Sequence, residues 1–249
     1  MRRIIFEVCA GSYEDCLAAQ AGGADRIELN SALYLGGLTP SMATVKMVKQ
    51  DVKLPIAAMV RPRAGGFHYT QEEYEVMKED AKLLLGEGIE AIVFGFLNED
   101  FTFDDSRTKE FTDLIHAYGG EAVVHRAFDV VLDMDEGMKC LIACGVNRVL
   151  TSGQAINAVE GASQLAYLQQ TYGKQIEILG GVGLNESNVS DFIQQTQLSQ
   201  VHSSCKAWKN DPTAKRNEVT YAYDPQHEFG YEVVDESKVK SFVEVIKNR

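Results

Sequence analysis

The chain lacks any apolar run approaching the roughly 18 to 20 residues that cross a bilayer, and it carries no excess of positive charge. It also has no Cys-x-x-Cys, Met-x-x-Met or His-Glu-x-x-His spacing. Each absence removes a class of function. Without a long apolar run, no membrane is expected as a partner. Met1-Arg2-Arg3 is basic and is followed by apolar residues, but Glu7 breaks that run after Ile4-Ile5-Phe6. A signal peptide needs about 7 to 15 apolar residues there, so the terminus reads as a first strand and the expected location is cytoplasmic. A net charge of −12 and a pI near 4.9 leave no basic face to neutralise phosphates, which argues against nucleic acid. The five cysteines (Cys9, Cys16, Cys140, Cys144 and Cys205) are odd in number and scattered, as free thiols in a reducing compartment are. No Gly-x-Gly-x-x-Gly turn follows any strand-like run, and Thr151-Ser-Gly153 lacks the elbow of serine hydrolases. No organic cofactor is indicated.

What is present is a regular alternation. Runs rich in β-branched residues recur at Arg3–Cys9, Asp25–Asn30, Ile56–Arg61, Ala91–Phe96, Ala122–Arg126, Arg148–Ser152, Glu177–Gly180 and Ser199–His202. Segments of 3.6-residue periodicity separate them. Thr70 with Glu73 forms a capping box ahead of Tyr74, Met77, Ala81 and Leu84; Ser12 with Asp15 and Asp133 with Glu136 give the same start signal. Pro40 suits a first helical turn, and Val239, Phe242, Val243 and Ile246 mark a last amphipathic helix. Eight strand-helix units in 249 residues predict an α/β fold, a single (β/α)8 barrel spanning 1–249. An open doubly wound sheet is the alternative, disfavoured by the unit count and the missing glycine fingerprint. A long polar segment, 206–232, precedes the last helix and reads as a lid or an interface segment.

In a barrel, working residues sit at the carboxyl ends of the strands. Alternation places Glu7 and Cys9 on one face of the first strand, and Arg26, Glu28 and Asn30 on one face of the second. Ile27 and Leu29 take the opposite face, so the charged set points inward. Glu7, Glu28, His125 and Asp129 are the candidates for proton transfer. Arg26, Arg61, Arg63 and Arg126, with Ser152 and His202, favour an anionic ligand, because guanidinium pairs two-pronged with carboxylate or phosphate. The plainer alternative for Arg26 and Glu28 is a structural ion-pair layer. Gly181 and Gly183, with Ser203 and Ser204, match the anion cradle that barrels build from their last two loops, Asn185 to Asn188 capping the helix between. Cys9, at the mouth, is a candidate metal-contacting thiol, and Cys205, spaced His202-x-x-Cys205, a weaker one. Cys140 and Cys144 share a helical face and read as small core residues.

Several blocks in order resemble the CutC family: Phe6-Glu-Val-Cys9, Gly22-Gly-Ala-Asp-Arg-Ile-Glu-Leu29, Gly36-Gly-Leu-Thr-Pro-Ser41 and Arg61-Pro-Arg63 with Phe67 and Tyr69. His125-Arg-Ala-Phe-Asp129, Leu150-Thr-Ser-Gly153, Gly180-Gly-Val-Gly183 and Val201-His-Ser-Ser204 continue the match, which covers about residues 3–205. The resemblance implies a cytosolic (β/α)8 barrel, a homo-oligomer, and a link to copper homeostasis through Cu(I) at the mouth. Copper as a bound ion is implied by the resemblance alone, and the resemblance assigns no reaction. Family members often carry a second cysteine after Ile-Glu-Leu; here that position is Asn30, so Cys9 stands alone. The residues by themselves support a barrel enzyme acting on a small anionic or phosphorylated metabolite, or a non-catalytic scaffold using the same pocket. Whether the chain is an enzyme stays open at this point.

Overall fold

The computed structural model describes residues 3–248. Eight parallel strands close into a barrel in sequence order: β1 (Ile5–Ala10), β2 (Arg26–Leu29), β3 (Ile56–Met59), β4 (Ala91–Phe94), β5 (Glu121–Val124), β6 (Arg148–Thr151), β7 (Glu177–Gly180) and β8 (Gln200–Ser203). Between them run α1 (Tyr13–Gly22), α2 (Met42–Asp51), α3 (Gln71–Gly86), α4 (Asp105–Ala117), α5 (Met134–Ala143), α6 (Ala162–Tyr172) and α7 (Val189–Thr196). The (β/α)8 expectation holds.

Local chemistry starts the helices where the sequence signals them. Ser12 accepts from the Asp15 N–H at 3.1 Å, Thr70 and Glu73 form the reciprocal capping box, and Asp133 accepts from the N–H groups of Asp135 and Glu136. Two details differ. Ser41 is the cap of α2, so Pro40 precedes the helix instead of opening it. Asn188 occupies the cap position of α7, but its side chain accepts from Asn185 N–H and donates to the Gly183 carbonyl, bracing the loop. β5 ends at Val124, two residues short of the expected Arg126. There the His125 Nδ1 accepts from the Ala127 N–H and folds the chain into a 3-10 turn over Arg126–Val130.

Period-two alternation divides the strand side chains between two environments. Phe6, Val8, Ile27, Leu29, Ile92, Phe94, Val124, Val149 and Val201 join the core shared with the helices. Inside the barrel, Ala57, Met59, Ala91, Val93 and Val123 form an apolar cluster on the β3–β5 side. The opposite side, formed by β8, β1 and β2, is polar. At the amino-terminal end, Arg148 is buried and donates to Glu177 (3.0 Å) and Glu121 (2.6 Å).

Segment 206–232 carries antiparallel structure. β9 (Lys206–Asn210) pairs with β12 (Gly230–Val234), and a small hairpin of β10 (Lys215–Arg216) and β11 (Val219–Thr220) lies between them. Trp208 stacks on His227 at 3.8 Å, and Tyr223 stacks on Tyr34 at 4.5 Å. Buried Asp15 holds this ribbon against the mouth by accepting from Val234 N–H (2.8 Å) and Gly11 N–H (3.0 Å). The last helix, α8 (Glu236–Lys247), then packs Phe242 flat on Phe6, with ring centroids 4.0 Å apart.

α1 and α8 approach closely at Gly22, where an added Cβ would lie 2.4 Å from both Cβ and Cγ1 of Val239. Helix propensity alone favours alanine over glycine by about 1 kcal/mol. Sterics should win here. Gly22→Ala is expected to lose about 1–3 kcal/mol in urea unfolding; an equal or higher midpoint would contradict the packing.

Candidate functional site

The parallel register builds the site. Glu7 on β1 lies opposite Arg26 on β2 and opposite His202 on β8, and Cys9 lies opposite Glu28. Barrel closure therefore brings three segments to one point. The buried Glu7 carboxylate pairs with the Arg26 guanidinium through one oxygen and with His202 Nδ1 through the other, at 2.9 Å. Arg26 also donates to Gln200 Oε1 at 2.7 Å. Two residues further along the strands, toward the mouth, Cys9 Sγ donates to Glu28 Oε2 (3.5 Å), and the Asn30 amide donates to the same oxygen (2.9 Å) and contacts the sulfur (3.6 Å). Cys9, Glu28 and His202 each bring one donor atom to within 4.8 Å of the others, the one such group among the described residues.

Electrostatics sets the resting protonation. Burial alone would push the Glu7 carboxyl up, but Arg26, and then His202, outweigh it and hold it down to about 2. Burial pushes the His202 imidazole down; the Glu7 hydrogen bond and the Glu28 and Glu7 carboxylates more than reverse this and raise it. Glu28 goes up, first through burial and then through neighbouring Glu7, against His202, Asn30 and Cys9. Burial, then Glu28, pushes the Cys9 thiol well up. Cys9 and Glu28 are thus two acids that resist ionising side by side, an arrangement that a cation would relieve.

A void of about 20 Å³, enough for one water-sized body, adjoins Cys9 and is lined by Asp15, Leu33, Ser204 and residues of the β9–β12 ribbon. The site is sheltered.

Other candidate residues lie apart from this group. Arg61 is buried and donates to the carbonyls of Leu35 (2.9 Å), Gly37 (2.9 Å) and Gly65 (2.7 Å), so most of its fork organises loop backbone. Arg63 is more exposed and pairs with Glu73. Asp129 accepts from Thr151, from Ser152 N–H and Oγ, from Gln154 N–H and from Arg126, so its oxygens are occupied in holding the β6 loop. Ser203 faces the helices and donates to the Leu184 carbonyl at 2.6 Å. Cys205 turns into the hydrophobic layer, away from Cys9. Gly183 and Ser204 border an outer cavity of about 440 Å³ between the last two loops, which Lys206 and Lys238 also line. Gly181 packs instead against Leu150 and His202, where an added Cβ would fall 2.8 Å from Leu150 Cδ1.

His125 is buried with Phe67 packed on its ring at 4.6 Å. Burial, with Arg61 adding to it, pushes its imidazole down to about 3, so it is neutral. Nδ1 accepts from Ala127, which leaves Nε2 as the protonated nitrogen, and Nε2 has no partner. Arg61 Nε is likewise buried and unpartnered, and the Arg61 guanidinium lies 5.5 Å from the Phe67 ring.

Known proteins resemble this chain in sequence and in fold. The model of the CutC family matches residues 4–207. A family protein CutC of Treponema denticola is 45% identical over 221 residues, covering 89% of each chain. The human copper homeostasis protein cutC homolog is 34% identical over 246 residues, covering 98% of this chain and 89% of its own. The crystal structure of CutC from Streptococcus agalactiae superposes with a TM-score of 0.76 at 28% identity, covering 81% of this chain and 98% of that one. The chain belongs to the CutC family. Among the described residues, no helix is long and apolar enough to cross a membrane.

The depressed His125 gives a pH test. A folded value near 3 against an ordinary 6.5 contributes stability that is complete above 6.5 and lost as pH falls toward 3. Between roughly pH 7 and pH 4.5, the native protein should lose up to about 3 kcal/mol more than His125→Asn in denaturant titrations. Parallel losses in the two proteins would contradict the buried neutral imidazole.

Proposed function

We propose that this CutC-family chain takes part in copper homeostasis by holding a copper ion at the barrel mouth through Cys9, Glu28 and His202, in the cytoplasm. The observation that carries the reading is the convergence of a thiol, a carboxylate and an imidazole within 4.8 Å at the sheltered ends of three adjacent strands. The donor set fits a divalent ion better than Cu(I), because it offers one sulfur, with Asn30 where a second thiol would stand. Glu7 supports the fit: by accepting from Nδ1 it leaves Nε2 of His202 free to face an ion, the carboxylate–histidine pairing that orients metal-bound imidazoles. Asn30 Oδ1 is buried without a partner, and half a turn of the amide would aim it where Nδ2 now points, toward Cys9 and Glu28. The ion here is cargo. Its binding would displace the protons of Cys9 and Glu28, so affinity should rise with pH.

Titration under nitrogen with Co(II), a divalent probe with visible absorption, followed by competition with Cu(II), tests this. The native protein should show a sulfur-to-cobalt charge-transfer band that copper removes. Cys9→Ser should abolish the band, and His202→Gln should weaken binding at least about tenfold. A band that persists in Cys9→Ser would remove the reading.

One observation favours a second reading, a small oxyanion as ligand or substrate. The unpartnered Nε2 of His125 and Nε of Arg61 are two buried donors gathered beneath Phe67, beside the Gly65-Gly66 turn. A screen of small carboxylates and phosphate esters by thermal shift should then raise the melting temperature of the native protein and leave that of His125→Phe unmoved. A library that stabilises neither, or both equally, would count against this reading.

A further inference from the structure

Cys140 and Cys144 lie four residues apart at the carboxyl end of α5, on one helical face. Both sulfurs turn to the same residue. Cys140 Sγ donates to the Asp105 carboxylate at 3.0 Å, and Cys144 Sγ to the Asp105 main-chain carbonyl at 3.6 Å. Asp105 is the first residue of α4, so the two helices meet through two thiols and one aspartate. Cys144 is buried, while Cys140 is half-buried and lines a cavity of about 790 Å³, with Asp105, Asp133, Glu136 and Lys139 also on its wall.

The pair is poorly placed for redox chemistry of its own. Side chains four apart on a helix have Cβ atoms about 5–6 Å apart, whereas a disulfide needs about 3.5–4.5 Å. Closing the bond would unwind the end of α5. Burial and then the Asp105 hydrogen bond push the Cys140 thiol up, which keeps it a poor thiolate nucleophile. An ion bridging two sulfurs spans a longer gap than a disulfide does, and a soft ion of low coordination number is satisfied by two thiolates.

We propose that Cys140 and Cys144 form a second, two-thiolate site for a soft monovalent ion of the Cu(I) class, on the outer wall between α4 and α5. On binding, two S–H bonds break, two S–Cu bonds form and two protons leave; the copper remains Cu(I) and no electron is transferred. Asp105 is the nearest acceptor for the first proton, and the cavity beside Cys140 gives both a route to solvent. The proposal is independent of the mouth site, which has one sulfur.

The test is anaerobic Cu(I) competition on the full-length reduced protein, with bicinchoninate as the competing chelator. One tight equivalent is expected in the native protein and in Cys9→Ser, with at least about a hundredfold weaker binding in the Cys140→Ser, Cys144→Ser double variant. Should the serine pair disturb folding, seen by circular dichroism, the Cys140→Ala, Cys144→Ala pair replaces it. X-ray absorption of the one-equivalent complex should show sulfur as the nearest shell in Cys9→Ser. Unchanged affinity in both double variants, or a shell of nitrogen and oxygen alone in Cys9→Ser, would overturn the proposal. Loss of Co(II) binding at the mouth would leave these results untouched, so the two sites fail separately.

Discussion

The buried carboxylate of Glu7 is the constraint around which the polar half of this barrel is arranged. A carboxylate taken out of water without partners costs several kcal/mol, and Glu7 is almost wholly enclosed. Its two oxygens are satisfied from opposite sides, by Arg26 on the next strand and by His202 on the strand that closes the ring. Closure and charge compensation are therefore one event: a barrel opened between β8 and β1 would strand the charge. The same contact fixes the imidazole plane of His202 and decides which ring nitrogen is committed. Cys9 and Glu28 sit one step nearer the mouth in the register that Glu7 pins. Their shared reluctance to ionise makes the spot attractive to a cation.

The arginines show how a ring of positive charge can be mostly structural. Arg26 completes an ion pair with Glu7 inside the barrel, Arg148 bridges the exposed Glu121 and Glu177 at its amino-terminal end, and Arg61 spends three of its donors on loop carbonyls. Arg126 braces Asp129, which in turn holds the β6 loop through Thr151, Ser152 and Gln154. The groups left without partners at the mouth include one nitrogen each of His125 and Arg61, the Tyr69 hydroxyl, and Asn30 Oδ1 beside Cys9. Those leftovers, rather than the count of charges, separate a binding site from a scaffold.

Much of this was legible from residue order. Eight β-branched runs between capped helices fix a barrel. The alternation of Glu7 with Cys9, and of Arg26, Glu28 and Asn30 against Ile27 and Leu29, shows which side chains face inward. The second partner of Glu7 was hidden, because His202 lies 195 residues away and only the register across the closing strands sets them side by side. Asp129 looked like a proton-transfer group and Arg61 like an anion-binding one because their types suit that chemistry. Their commitment to backbone N–H groups and carbonyls depends on loop paths that no periodicity encodes. Segment 206–232 stood out as a lid or an interface segment, but its strands did not: β9 and β12 bury little of either face, and β10 and β11 are two residues each, too short for alternation to register. Cys140 and Cys144 shared a face in sequence, but Asp105, which gathers both sulfurs, comes from a different helix.

In the proposed site, Glu7 orients His202 toward an ion that Cys9 and Glu28 share. An anomalous difference map at the copper absorption edge, from crystals soaked in copper, addresses it most directly. A peak is expected within bonding distance of Cys9 Sγ, a Glu28 carboxylate oxygen and Nε2 of His202, with the Glu7 contact to Nδ1 intact. Copper at other positions, with that mouth vacant at full soaking, would contradict it.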